Sequence, residues 1–95
     1  MIIVWLPKAD KTREALLAYI EKENMTAALE HGDQIDSQVK QLSAYPEMGK
    51  TGRKQGTREL VISRTSFVVI YRIKPKANRV EILRVLHSSQ KWPLR

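Results

Sequence analysis

The 95-residue chain carries 17 Lys and Arg against 10 Asp and Glu, a formal net charge of +7, and contains no cysteine. That length allows one domain with a single modest core, and 42% hydrophobic residues with only four Gly and four Pro argue against disorder. Without cysteine there is no disulfide, thiolate zinc site or thiol nucleophile, and His31 and His87 lie too far apart in sequence to suggest a metal motif.

From the N-terminus, Ile2 to Trp5 is a short β-prone run, and Pro7 then suits the first turn of a helix, where no amide donor is needed. From Lys8 to about Glu23, Leu16, Leu17 and Ile20 recur at helical spacing, while Lys11, Glu14, Glu21 and Lys22 suit a wet face. Asn24 reads as the stop of this helix and Thr26 as the N-cap of a second, along which Ala28, Ile35, Val39 and Leu42 line one side. These apolar stripes are core rather than ligand boxes, and His31, near that side, reads as structural or exposed.

Tyr45 to Gly56 packs three of the four glycines, Pro46, Lys50, Arg53 and Lys54 into a dozen residues, so it is expected to be a loop. It lacks the GxxxxGK[ST] phosphate-loop pattern. Free amides beside its cations could hold a phosphate or a carboxylate, but a plain solvated turn is the favoured reading. Three strand-like runs follow, Thr57 to Ser63, Phe67 to Ile73 and Arg79 to Leu86, with breaks short enough for an antiparallel meander. Period two puts Arg58, Leu60 and Ile62 on one side of the first run and Val68, Ile70 and Arg72 on one side of the second. It also puts His87 on the same side as Glu81, Leu83 and Val85. No apolar run approaches a bilayer span, and the first residues meet Pro7 and Lys8 too soon for a signal peptide. A cytoplasmic protein with no membrane partner is expected.

Charge is sorted along the chain. Residues 1–49 hold five basic and eight acidic side chains, whereas residues 50–95 hold twelve basic ones and two acids, Glu59 and Glu81, for a local net charge of +10. Such a field attracts nucleic acid, an acidic membrane surface or an acidic protein, although basic strands that merely face water would produce the same composition. No GxSxG turn and no acidic pair in an apolar setting is present, and the basic half lacks the carboxylate cluster of a metal-dependent nuclease. Metal-free phosphodiester cleavage is chemically allowed, with Arg and Lys stabilising the phosphorane and His87 or Glu59 moving a proton. A passive nucleic-acid-binding module is also open, and it would want aromatic platforms on the exposed sheet, where Phe67 and Tyr71 share one strand parity.

Several motifs in this order resemble the RelE/ParE superfamily of bacterial type II toxins. They are Trp5 with Pro7, Ala15 to Ile20, and Tyr45-Pro46 followed by Gly49 and Gly52-Arg53. Gly56-Thr57-Arg58-Glu59-Leu60-Val61, Val69-Ile70-Tyr71-Arg72-Ile73, Val80 to His87 and Trp92-Pro93 complete the set. The resemblance implies an α+β fold in the order β-α-α-β-β-β, with two N-terminal helices packed on a mainly antiparallel sheet across residues 1–95. It implies no cofactor and no metal. RelE-like members cut mRNA in the ribosomal A site, and ParE-like members poison DNA gyrase. In a RelE-like chain the catalytic residues would be His87, Arg58 and Glu59, making it a metal-independent endoribonuclease. Leu60, Val68, Ser88 and Leu94 occupy other positions where that branch carries functional residues. The G-x-REL and V-x-H pattern is closer to the ParE branch, which makes gyrase the expected target and a ribosome with mRNA the alternative. Lys50, Arg53, Lys54, Arg58, Arg72, Arg84, Lys91 and Trp92 are then the candidate target- or nucleic-acid-binding residues. The implied partner is an acidic antitoxin, through which alone operator DNA would be bound.

Overall fold

The computed structural model describes residues 1–92. The chain runs β1 (Ile2–Trp5), α1 (Pro7–Glu21), α2 (Met25–Lys40), a 3-10 turn (Gln41–Ser43), β2 (Lys50–Thr51), β3 (Arg58–Val61), β4 (Phe67–Lys74), a 3-10 turn (Pro75–Ala77) and β5 (Arg79–His87). The expected element order holds, and the loop contributes an additional two-residue strand, β2.

Pro7 opens α1 at its first position, as its fixed φ and missing N–H allow. The break between the helices differs from the sequence reading. Asn24, not Thr26, is the N-cap of α2: its backbone is extended and its Oδ1 accepts the Ala27 N–H at 3.0 Å. Asn is among the strongest N-cap residues because its short amide reaches the third helical amide from that backbone geometry. Thr26 lies inside the first turn.

The sheet order is β1-β5-β4-β3-β2. Pairing is antiparallel except between β1 and β5, which run parallel. The helical hairpin supplies the long crossover that parallel neighbours need. Beyond Trp5 the free edge of β5 passes to α1, where Thr12 Oγ1 accepts the Val85 N–H at 2.9 Å. Gln38 of α2 holds the β3–β4 turn through a two-way bond to Ser63, accepting its N–H at 2.8 Å and donating to its carbonyl at 3.2 Å.

Helices cover one face of the sheet only. On that face Ala9, Ile35, Val39 and Leu42 pack against Leu60, Ile62, Phe67, Val69, Tyr71, Val80, Ile82 and Val85. The opposite face carries a smaller apolar patch, Val68, Ile70 and Leu86, with Leu83 and Trp92 against it. Arg58, Leu60 and Ile62 therefore face the helices, whereas Val68, Ile70 and Arg72 face away.

One expectation about β5 fails. Its pairing with β4 shifts register between Ile70–Arg84 and Tyr71–Ile82, so Leu83 is an extra residue. A bulge of this kind reverses side-chain parity beyond it. Glu81 consequently lies on the open face with Arg72, while His87 pairs with Phe67 on the helix side.

Candidate functional site

The open face is built on strands whose inward residues are fixed by the core beneath, and its acids and bases are organised in two clusters. Glu59, 3% exposed, receives the backbone N–H of Arg53 at 2.8 Å and its Nε–H at 3.0 Å. Burial pushes the Glu59 carboxyl up, but the bonds and charge of Arg53, with Lys50 nearby, outweigh it and hold the group below its ordinary value. The anion held by the glycine-rich loop is thus the chain's own carboxylate. Glu81, equally enclosed, is held by Arg72 at 2.6 Å and Arg79 at 2.7 Å. The Arg72 hydrogen bond is the main cause of its lowered pKa, outweighing burial, and the charges of Arg72 and Arg79 add to it.

Both acids of the basic half are therefore internal counter-ions, and the outward charge of this face is positive. Trp92 packs on this face against Val68, Ile70 and Leu86. Lys54 Nζ and Arg84 Cζ each stand 5.8 Å from the centroid of that ring, within cation–π range. Lys50 sits across from Glu59 in the β2–β3 register, and Lys91 directly precedes Trp92.

Arg58 has a different role. Its Nη1 donates to the carbonyls of Gly49 at 2.7 Å and Glu47 at 3.3 Å. Tyr71 completes the clamp from within the core, accepting the Gly49 N–H at 2.9 Å and donating to the Pro46 carbonyl at 2.7 Å. Burial raises the Tyr71 phenol, against the opposing Gly49 N–H, so it stays protonated to donate. Tyr71 and Gly49 are positioning residues, a role the sequence did not suggest for either: it marked Tyr71 as a stacking platform and Gly49 as a loop glycine. The available signal was a tyrosine on a strand, which needs a hydrogen-bond partner when buried.

His87 ends β5 with its ring edge-on to Phe67, 6.5 Å between centroids, and His31 of α2 meets the same Phe67 at 5.6 Å. Ser89 closes on His87 Nδ1 with both its hydroxyl, at 2.8 Å, and its backbone N–H, at 3.1 Å. The structure does not bring the three ribonuclease candidates together. Arg58 pairs with Tyr71 and His87 with Phe67, four residues apart on β4, which is about 13 Å along the strand. Glu59 lies on the opposite face from His87. Phe67 and Tyr71 are core residues rather than stacking platforms, which leaves Trp92 as the aromatic ring of the open face among the described residues. Leu60 and Val68 are buried, Ser88 follows the end of β5, and Leu94 lies outside the described residues.

With this geometry in place, comparison with known proteins gives a consistent result. Residues 3–92 match the profile of the family described as the ParE toxin of the type II toxin–antitoxin system parDE. The chain is 38% identical over 91 residues to Y4kP of Sinorhizobium fredii, named as a candidate toxin, covering 96% of this chain and 92% of that one. It is similar to a structure of the chromosomal ParDE system from P. aeruginosa, with a TM-score of 0.81 and 27% identity over 92% of this chain and 95% of the other. Similarity to the RelBE2 toxin–antitoxin complex from Mycobacterium tuberculosis is weaker in shape, at a TM-score of 0.55 and 27% identity over 90% and 95% of the two chains. Sequence profile, relative and fold agree, and the chain belongs to the ParE toxin family of type II toxin–antitoxin systems.

Proposed function

We propose that this chain arrests growth in the cytoplasm by poisoning DNA gyrase and is neutralised by a cognate acidic antitoxin. The observation that carries the choice of target is the dispersal of the nuclease candidates. Cleavage by general acid–base catalysis needs its acid, base and charge-stabilising cation to converge on one phosphodiester within hydrogen-bond reach. Here Arg58 is engaged with loop carbonyls, Glu59 is enclosed by Arg53, and His87 is remote from both. A toxin that stalls another enzyme needs a shaped, charged surface and no such convergence.

The antitoxin follows from the charge distribution. A net +10 over residues 50–95 suits a disordered acidic segment that orders on contact, and operator DNA would be reached through that partner. The solved relatives are themselves toxin–antitoxin systems.

The test uses purified toxin, gyrase and supercoiled plasmid. We expect linear DNA trapped in covalent complex on denaturation, its suppression by added antitoxin, and equal potency for His87→Ala. Unaffected gyrase, together with ribosome-dependent mRNA cleavage that His87→Ala abolishes, would reverse the assignment to the RelE-like activity.

A further inference from the structure

We infer that the open sheet face is a binding surface for the phosphate backbone of duplex DNA, with Lys54 and Arg84 as its principal contacts and Trp92 as the scaffold that holds them. Three observations carry this. First, the carboxylates on this face, Glu59 and Glu81, are buried and bonded to Arg53, Arg72 and Arg79, so they present no negative charge to a ligand. Second, Lys54, Arg84 and Lys50 have no carboxylate partner among the described residues. Two of these cations are fixed about one ring, each 5.8 Å from its centroid and so no more than twice that distance apart. Duplex DNA offers phosphates at comparable and shorter separations, one charge per roughly 3.4 Å of each strand. Third, the apolar patch of this face, Val68, Ile70 and Leu86, is already covered by Leu83 and Trp92. A polypeptide that orders on contact is better served by a face that also offers it an open apolar groove, which this face lacks, whereas a phosphate backbone needs only fixed cations.

Trp92 matters through order rather than charge. Lysine and arginine side chains lose rotamer freedom when a ligand immobilises them, and cation–π contacts made beforehand reduce that loss. Binding of this kind reads no base sequence and is independent of gyrase, since it belongs to the free toxin.

The experiment is fluorescence anisotropy of the purified full chain with a labelled mixed-sequence duplex across a salt series. Each phosphate contact contributes about −0.9 to the slope of log K against log salt. The double variant Lys54→Gln/Arg84→Gln should therefore lose about 1.8 from the slope and bind roughly tenfold to a hundredfold more weakly near 0.1 M salt. Lys54→Gln alone, at an exposed position, should lose about half of that slope change. Trp92→Leu should keep the slope but weaken binding severalfold, and Lys8→Gln/Lys11→Gln on α1 should change neither. A wild-type chain without salt-dependent DNA binding, or a double variant with an unaltered slope, overturns the inference. Loss of antitoxin binding with DNA binding intact also overturns it and assigns the face to an acidic polypeptide.

Discussion

Replacing Gly49 by Ala tests how the Tyr45–Gly56 loop is held. A Cβ at that position would stand 2.6 Å from Tyr71 Oη, 2.7 Å from Tyr71 Cε1 and 2.9 Å from the Glu59 carbonyl, against 3.4 Å or more in ordinary contact. Tyr71 is fully buried in the core and cannot retreat, so the loop must lift. Lifting it breaks the Gly49 N–H bond to Tyr71, the Tyr71 bond to Pro46 and the Arg58 bond to Gly49. At about 1 kcal/mol net for each bond, the loss is about 3 kcal/mol. For a domain of this size that lowers Tm by about 12–24 °C. Tyr71→Phe removes two of the three bonds without the clash and should cost about 1–3 kcal/mol, as it leaves buried polar groups without partners. In that background Gly49→Ala should cost less than in the wild type, by about 1–2 kcal/mol, because the two changes act on one contact. Urea denaturation of the four proteins measures the cycle. Gly49→Ala within about 0.5 kcal/mol of wild type, the range of an ordinary surface change, would refute the clamp.

Acid stability follows from Glu59 and Glu81, whose carboxyls sit below their ordinary value of 4.5 in the folded chain. A depressed folded pKa contributes stability that is present above the unfolded value and is lost as pH falls through the folded one. The urea midpoint should accordingly fall below about pH 4.5, and less steeply in Glu81→Gln; identical acid profiles for variant and wild type would contradict the role of the Arg72–Glu81–Arg79 cluster. Asn24→Ala should destabilise the protein by about 1 kcal/mol in chemical denaturation, with Thr26→Ala nearly neutral, since the cap bond belongs to Asn24. The reverse ranking would restore Thr26 as the cap.

The parts of the fold legible in the sequence are those set by local pattern. The stripe of Ala28, Ile35 and Val39 marks a helix, and the Val- and Ile-rich runs with short breaks mark a meander, because burial imposes those periods on any chain that forms these elements. What could not be read depends on pairing between strands. Nothing within Arg79 to His87 announces Leu83 as an extra residue, yet that bulge separates Glu81 from His87 and removes the acid that strict alternation places beside the histidine. The parallel pairing of Ile2–Trp5 with β5 is likewise a tertiary fact. At the site, the identity of Trp92 and the basic residues was visible from composition and resemblance. Their division into internal counter-ions, such as Arg53 and Arg72, and outward cations, such as Lys54 and Arg84, required the positions of two buried glutamates. Arg58 shows the same limit: its charge suggested a phosphate contact, and its geometry makes it a brace for the loop.

The most direct test of the central claim is pulse-labelling of DNA and protein synthesis in the first minutes after inducing the toxin without its antitoxin. Gyrase poisoning predicts that DNA synthesis falls first while translation continues, in the wild type and in His87→Ala alike. Early loss of translation with DNA synthesis intact would contradict that claim and place the target on the ribosome.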